Sequence, residues 1–423
     1  MAPEISPAKH PLDAAPPLRP EAWLGPDARL LFLTRAVRLF GYGLISIVLV
    51  LYLSAAGVAD AAIGLLLTLT LVGDTAISLL LTTHADRLGR KNTLLVGACL
   101  VALAGVVFGV ARDFWVLLAA ATIGVISPSG NEVGPFLSIE HAALSQSVEA
   151  RHRTKVFAWH NLLGSVATAV GAATGGGAVD LLQHAGWSRL DSFRAVVYAY
   201  AVLGSVLVVL FHRLTPAVEA RAVAGAPAGP VVLGLHGSRR VVFKLAALFA
   251  LDAFGGGFVV QSIAAYWFHL RFGVSASALG AIFFGANVMA AMSALAVVPL
   301  ARRFGLLPTM VFSHMPSNVL LILVPLMPTL PLAIATLLLR FSISQMDVPT
   351  RQAYTMAIVE PEERAAASGI AGVARTAGAS LSPSLAGLLL AAPALSGVPF
   401  FLAGGIKLVY DIVLWRSFRK TET

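Results

Sequence analysis

The sequence has little charge. Only 12% of its 423 residues are Asp, Glu, Lys or Arg, whereas 57% are hydrophobic and the mean hydropathy is +0.82. Soluble domains carry about 25% charged residues, and a soluble chain of this length could not bury so much apolar surface. The composition therefore excludes an ordinary soluble protein and indicates that lipid is the solvent.

Cysteine and nucleotide-binding motifs are scarce or absent. The single cysteine, Cys99, excludes an internal disulfide and, within its apolar run, favours a packed thiol over a reactive one. The chain lacks the Gly-x-x-x-x-Gly-Lys-Ser/Thr loop that binds nucleotide phosphates, so ATP is not the expected energy source. The histidines are scattered without metal-ligand spacing, and no nucleophile–base set appears. We therefore expect no enzyme activity, no metal and no cofactor.

Long apolar runs dominate the rest of the chain. Runs of roughly 20 residues can cross a bilayer as helices, and continuous runs favour helices over a barrel. Twelve such runs lie at about 34–54, 61–83, 93–111, 115–142, 155–182, 193–211, 242–270, 277–300, 307–327, 330–355, 365–391 and 397–416. The sequence thus predicts an all-α membrane protein with twelve transmembrane helices.

The loops set the predicted topology. Lys and Arg concentrate on the side of the N-terminal tail, while the opposite loops hold only Arg112, Arg189, Arg194 and Arg271. Cytoplasmic loops carry such an excess, so both termini are predicted to be cytoplasmic in a plasma (bacterial inner) membrane. The formal charge of +9 then reports topology, and no nucleic-acid partner is expected.

The same pattern divides the chain into segments. A proline-rich tail at 1–27 is predicted to be disordered and not a signal peptide. An Ala/Gly/Pro-rich linker at 213–240 separates a six-helix bundle at 28–212 from another at 241–418, and a short tail covers 419–423.

The two halves repeat each other. "RLFGYG" and "DAFGGG" begin 214 residues apart, at Arg38 and Asp252, and the glycines that end "AAIG" and "SALG" are 216 apart. "DRLG" and "RRFG", at 86–89 and 302–305, keep the spacing of 216. Repeated halves around a midplane site are typical of alternating-access transporters.

One loop resembles a known signature. "THADRLGRKN", between the second and third spans, is similar to the Gly-x-x-x-Asp-Arg-x-Gly-Arg-Lys/Arg run of the major facilitator superfamily, with Thr82 in place of the first glycine. The matching residues are Asp86, Arg87, Gly89, Arg90 and Lys91. The resemblance implies two pseudo-symmetric six-helix bundles acting as a monomer, with Asp86 and Arg90 as a latch between gating states. Alternatively, these charges only set topology.

A second motif resembles one branch of that family. "GAATGGG", at 171–177, looks like the glycine-rich motif of drug/proton antiporters, in which Gly171 and Gly175 fit but Gly176 replaces a proline. Close packing of small residues explains it equally well. The arginine motif of many proton-coupled relatives is absent from span four.

Ionisable residues lie deep in several spans. Charges at the bilayer centre are costly and usually face protein or water for a functional reason. Glu132 and Asp347 occupy corresponding places in spans four and ten, as Arg38 and Asp252 do in spans one and seven, and the resemblance implies that these helices line a central cavity. With Asp74 in span two, the four acids are candidates for proton coupling.

Each of these assignments has a structural alternative. For Glu132 the alternative is a structural pair with an arginine on a neighbouring helix, and for Asp347 it is a pair with Arg351 on its own helix. Arg38 lies near enough to the cytoplasmic edge to snorkel. Arg35 is expected to snorkel, and Arg375, expected to be buried in span eleven, is a candidate to neutralise one of the acids. Burial disfavours a carboxylate's charge and a nearby arginine favours it, so a change of neighbours would bind and release a proton.

Polar and aromatic residues complete the candidate site. Cavity or substrate contacts are predicted for Asn131, Asn161, Gln261, Asn287, Gln345, Tyr42 and Tyr266. The alternative for each is a structural role, in which it joins or packs helices. The hypothesis is a secondary transporter that exports a small organic molecule in exchange for protons; the alternative is a proton-coupled importer. The deep acids favour cationic or zwitterionic substrates unless arginines cancel them.

Overall fold

A computed structural model describes residues 25–132, 134–148, 150–219, 238–360 and 363–419. The predicted tails and linker lie largely outside these ranges. The side chains of Asp86 and Arg87, two predicted gating residues, lie outside the description as well.

The described residues form helices joined by short connections. They are α1 (Pro26–Ala55), α2 (Asp60–Leu88), α3 (Arg90–Val110), α4 (Phe114–Ile123), α5 (Phe136–Ser147), α6 (Ala150–His184), α7 (Arg189–His212), α8 (Arg239–Gly257), α9 (Gln261–Phe272), α10 (Ala276–Phe304), α11 (Leu306–Leu323), α12 (Leu330–Ser344), α13 (Asp347–Ile358), α14 (Arg364–Leu390) and α15 (Val398–Phe418). In this part of the chain, nine helical segments are long and apolar enough to cross a membrane. The other three spans are α4 with α5, α12 with α13, and α14.

Three spans that were expected to be continuous are broken near their middle: span four between α4 and α5, span seven between α8 and α9, and span ten between α12 and α13. The longest break is in span four. Span four was expected as one helix over 115–142, but α4 ends at Ile123 and α5 begins at Phe136. Two prolines and two glycines with positive φ, Gly130 at +70° and Gly134 at +81°, interrupt the helical hydrogen bonds. Glu132 therefore lies in a non-helical segment.

Neighbouring helices satisfy the backbone freed by this break. The Tyr200 hydroxyl donates to the Val125 carbonyl at 2.7 Å, and the Ser262 amide donates to the Pro128 carbonyl at 3.1 Å. Non-helical backbone at membrane depth is tolerated where protein or water meets its hydrogen bonds. The second hydrogen bond comes from α9 of the other half, so a contact between the halves stabilises the broken segment.

The internal repeat is visible in the backbone. Gly89 and Gly305, the repeated glycines of "DRLG" and "RRFG", both have φ of +88° and both join a long helix to the next one. Gly57 and Gly273 also share the spacing of 216 and have positive φ. The repeat therefore encodes matching helix junctions.

Small residues bring the halves into close contact at two related places. A Cβ on Gly64 of α2 would lie 2.9 Å from the Cα of Gly387 on α14. In the counterpart contact, a Cβ on Gly280 of α10 would lie 2.7 Å from the Ala172 carbonyl oxygen on α6. Glycine thus permits backbone-to-backbone packing between the halves.

The "GAATGGG" stretch of α6 contributes to the same packing. Any side chain at Gly171 or Gly175 would meet the backbone of α1, and one at Gly176 would meet the backbone of α10. The structure therefore supplies the packing explanation for these glycines. The antiporter assignment drawn from them stays a prediction.

Polar contacts join the halves at the end of the bundle away from the described chain ends. The Tyr266 hydroxyl donates to Asp60 at 2.8 Å and lies 3.1 Å from the Ser54 hydroxyl. The Ser277 hydroxyl and amide donate to the Asp180 carboxylate. Together with the glycine contacts, these bonds close this end, which we call the closed end.

Candidate functional site

A cavity of about 740 Å³ lies between the two halves. Its volume is within the usual range of small-molecule sites, about 300–1,000 Å³. Seven of the predicted site residues line it: Asn131, Glu132, Asp252, Gln261, Asn287, Gln345 and Arg375. Both halves thus contribute to a single central space.

Glu132 lies at the wall of this cavity and binds two arginines of α1. One carboxylate oxygen accepts from Arg35 Nη1 at 2.8 Å, and the other accepts from Arg38 Nε at 2.8 Å. The side chain of Glu132 is 16% exposed, whereas that of Arg38 is fully buried. Glu132 therefore faces the cavity and is also paired with arginines, so the two interpretations of this residue do not exclude each other.

A second acid, Glu140 of α5, lies behind this pair. Its two oxygens accept from Nη1 and Nη2 of Arg38 at 2.7 and 2.8 Å, a bidentate pair in which both side chains are fully buried. The Arg38 guanidinium also lies 4.5 Å from the centre of the Phe136 ring. Two arginines and two carboxylates thus balance their charges in the first half.

The position of the α1 arginines corrects the expectation that they snorkel. Arg35 and Arg38 are 6% and 1% exposed and point into the protein. Gly164 makes room for Arg35, because a Cβ there would lie 2.8 Å from Arg35 Nε. Asn161 accepts from Arg35 Nη2 at 3.2 Å, so this candidate positions the arginine and does not line the cavity.

The second half reverses this arrangement, with the acid on its first helix. Asp252 of α8 accepts from Lys407 Nζ at 2.6 Å and from Arg351 Nη1 at 3.2 Å. Arg351 also lies 3.1 Å from Asp347, one turn earlier in α13. The predicted helix pair is therefore present, but Arg351 shares its charge between two acids.

Behind Asp252 is a buried cluster that sequence reasoning missed. His314 Nδ1 lies 2.9 Å from Asp411, and Asn318 donates to the other oxygen of that carboxylate at 2.9 Å. His314 Nε2 lies 3.8 Å from Asp252, so the imidazole bridges two acids. Lys407 and Asp411 had a usable signal, since two charges four residues apart in the apolar run of α15 share one helix face.

Glu140 and His314 were also missed, for different reasons. Glu140 follows Glu132 by eight residues inside an apolar run, a position that should have drawn attention. His314 looked like one of several scattered histidines, and only the packing of α11 on α15 brings it to Asp411.

Three other candidates lie away from the cavity lining. Asp74 of α2 is 6% exposed and accepts from the Gly134 amide at 2.6 Å, so it holds the broken segment next to Glu132. Tyr42 is fully buried, and Tyr266 contributes to the closed end. In this conformation these residues are structural neighbours of the cavity.

Amide side chains connect the halves across the cavity. Gln261 donates to the Ser46 hydroxyl at 2.8 Å and accepts from Asn287 at 3.2 Å. These bonds join α1, α9 and α10 beside the cavity. Gln261 and Asn287 thus place amide donors and acceptors at the cavity wall; their contact with a ligand stays a prediction.

The signature loop contacts the beginning of the linker. The Glu219 carboxylate accepts from the amides of Arg90 and Lys91 at 2.6 and 3.2 Å, at the N-terminus of α3, where a negative charge is favourable. Lys91 Nζ donates to the Leu214 carbonyl at 2.8 Å. The described bonds thus tie this loop to the linker; its role as a latch between bundles stays a prediction.

Metal-binding clusters are not apparent where the structure is described. No group of three or more His, Cys, Asp or Glu residues there could hold a metal ion.

Comparisons with known proteins agree with this architecture. The chain is 31% identical over 417 residues to the uncharacterized membrane protein YJR124C of Saccharomyces cerevisiae, covering 92% of this chain and 93% of that one. Among solved structures, the nucleoside transporter NupG has a TM-score of 0.70 at 15% identity, covering 94% of this chain and 100% of that one.

Two further solved structures have the same fold. A bacterial homolog of the human lysosomal transporter Spinster, inward-facing and occupied, has a TM-score of 0.71 at 17% identity over 93% and 97% of the two chains. A D-xylose–proton symporter has 0.69 at 15% identity over 92% and 97%. The family model described as Major Facilitator Superfamily matches residues 31–346, and the chain therefore belongs to the major facilitator superfamily.

Proposed function

We propose that this chain is a secondary transporter that moves a small molecule by alternating access. The observation that carries the proposal is a central cavity lined by both pseudo-symmetric halves and closed at one end by contacts between them. Two similar bundles that rock about such a cavity expose it to each side in turn. With cytoplasmic termini, the described state is closed to the outside.

We propose that transport is coupled to protons through the ion pairs at the cavity wall. Glu132 is held by two arginines, and Asp252 is held by Lys407 and Arg351. Each acid and its bases lie on different spans of the same half, so a shift of these spans within the half during the transport cycle would separate them. A carboxylate that loses its cation in a low-dielectric site takes up a proton. We propose Glu132, which is partly exposed to the cavity, as the principal coupling residue.

Asp347, Asp252 and Asp74 are the other proposed proton sites. Asp347 is buried beside Arg351 and does not line the cavity in this state, so its protonation would need a change of conformation. We propose export in exchange for protons, as expected from the sequence. The name of the D-xylose–proton symporter favours the alternative, proton-coupled import, and the experiment below decides between them.

The direction of coupling can be read from the sign of a pH change. Purified protein is reconstituted into liposomes that contain the pH dye pyranine and, in turn, a cationic, a zwitterionic or an anionic compound, and the outside solution is then diluted. Antiport brings protons in as the substrate leaves, so the lumen becomes acidic; symport makes it alkaline.

The controls separate coupling from leakage. Glu132→Gln should abolish the pH change while leaving exchange of labelled substrate across the membrane measurable, because substrate binding does not require that charge. Liposomes without protein report passive permeation. If every compound class gives the same signal with and without protein, the chain is not a carrier for these classes and the proposal fails.

A further inference from the structure

Two arginines of the cavity have no acid partner. Arg340 of α12 and Arg375 of α14 both line the central cavity. Where the structure is described, no carboxylate oxygen lies within 4.0 Å of either guanidinium, and neither forms a described hydrogen bond. The acid that shares the wall of this half, Asp252, is already held by Lys407 and Arg351.

Arg340 carries a hydrogen-bond donor without an acceptor among the described residues. Its Nε is buried and has no hydrogen-bond partner in this part of the chain. Its guanidinium lies 4.9 Å from the centre of the Phe341 ring, which supplies one aromatic face but no acceptor oxygen. A buried donor without an acceptor is costly, and a ligand oxygen that reached it would remove that cost.

The charges that line the cavity also favour an anionic ligand. Its ionisable lining comprises four cations, Arg35, Arg340, Arg375 and Lys407, and two carboxylates, Glu132 and Asp252. Both carboxylates are paired with bases within 3.2 Å. A cleft lined by an excess of one charge, with apolar walls around it, concentrates ions of the opposite charge.

We propose that the cavity binds a small organic anion, a carboxylate, phosphate or sulfonate, through Arg340 and Arg375. Arginine suits these groups because its planar guanidinium matches their oxygens. Gln261, Asn287 and Gln345, which line the same cavity, bind the polar remainder of the molecule. That this anion is the transported substrate rests on the proposed function; that it binds in the cavity does not. An anionic ligand is the opposite of the cationic or zwitterionic substrate expected from the deep acids.

The electrostatic potential of the cavity can be measured without knowing the substrate. In a Cys99→Ser background, a reporter cysteine is placed at the cavity wall as Ala290→Cys, and its reaction rates with two methanethiosulfonates are compared. One reagent carries an anionic sulfonate and the other a cationic trimethylammonium group. The ratio of the anionic to the cationic rate, divided by the ratio for free cysteine, should exceed one.

Removing either arginine should lower that ratio. A unit charge at the wall of a water-filled cavity changes the ratio by a few-fold over separations of about 5–10 Å, because the anionic and cationic reagents respond in opposite directions. Arg340→Gln and Arg375→Gln should each show a decrease of this order, while Arg340→Lys, which keeps the charge, should not. Arg303→Gln is the matched control, because Arg303 is exposed on α10 outside the cavity lining.

Binding itself is tested with matched aromatic probes. Thermal stability of the purified protein is measured with benzoate, phenyl phosphate and benzenesulfonate, and with neutral benzamide and cationic phenyltrimethylammonium. A ligand that binds the folded state raises its stability by mass action. At least one anion should stabilise the wild type and the Arg303→Gln control but lose its effect in Arg340→Gln and Arg375→Gln, and the pattern across the three anions identifies the acid group.

Each outcome decides the proposal independently of transport. A rate ratio below one, a ratio unchanged in both Gln variants, or stabilisation by the neutral or cationic probe alone would overturn anion binding. A carrier of neutral or cationic substrates would give those results and still exchange its substrate in liposomes, so failure here is distinguishable from failure of the proposed function.

Discussion

The buried pair of Arg38 and Glu140 allows a quantitative test of the network in the first half. Both side chains are fully buried and share two hydrogen bonds of 2.7 and 2.8 Å. Removing one partner of a buried ion pair costs about 3–5 kcal/mol, because the remaining charge is left uncompensated. Glu140→Gln should therefore lower the free energy of unfolding by about that amount.

The double variant should recover much of this loss. When Arg38→Gln accompanies Glu140→Gln, Glu132 still binds Arg35, so the charges of the cluster balance again. We expect a coupling energy of about 2 kcal/mol or more, at the upper end of the range for contacting residues. Arg38→Gln alone should be destabilising because both acids then share Arg35.

The assay is denaturant-induced unfolding in detergent micelles, followed by tryptophan fluorescence. The four proteins of the cycle are compared under the same conditions, with Arg303→Gln as a surface control that should change stability by less than about 0.5 kcal/mol. Additive effects, with a coupling below about 0.5 kcal/mol, would refute the reasoning, because the two side chains would then not depend on each other.

Further predictions concern the closed end and the signature loop. Gly176→Val should raise the rate of cysteine labelling at the closed end about tenfold or more, since overpacking costs about 1–3 kcal/mol. Gly177→Val should leave that rate unchanged, because no atom lies within 4 Å of a Cβ at Gly177. Tyr266→Phe removes the bond to Asp60, worth about 0.6 kcal/mol in a membrane, and should raise the same labelling about threefold, so an unchanged rate counts against the bond. Glu219→Gln should speed amide hydrogen exchange at the start of α3 through loss of about 1 kcal/mol of capping, and unaltered exchange would contradict the cap.

Local patterns in the sequence predict most of the fold. Runs of apolar residues predicted the spans, and the repeated glycines predicted the matching junctions at Gly89 and Gly305. The sequence does not predict the break in span four, because apolar residues continue to Val125 and Ile126 and resume at Phe136, directly after Pro135. Only the three-dimensional structure shows that α9 satisfies the freed backbone.

The residue types of the site and the pair of Asp347 with Arg351 on one helix were predictable, but the specific partners on different helices were not. The family resemblance implies that the spans of Arg38, Glu132, Asp252 and Asp347 line the cavity. Glu132 and Asp252 line it, whereas Arg38 and Asp347 are buried behind its wall. Which base holds which acid depends on packing between helices far apart in the sequence, as for Asp252 with Lys407, 155 residues later. This pairing also changes the inferred substrate charge, since it leaves arginines as the unpaired ions.

The central claim, that the two halves rock about the cavity, is tested most directly by two distances measured together. Spin labels are placed in a Cys99→Ser background at Leu65 and Leu388, exposed near the closed end, and separately at Leu88 and Phe304, exposed at the opposite end. Distances are measured by pulsed electron paramagnetic resonance across pH, with and without benzoate. Alternating access predicts two populations whose proportions shift in opposite senses at the two ends; a single unchanging distance in each pair would contradict it.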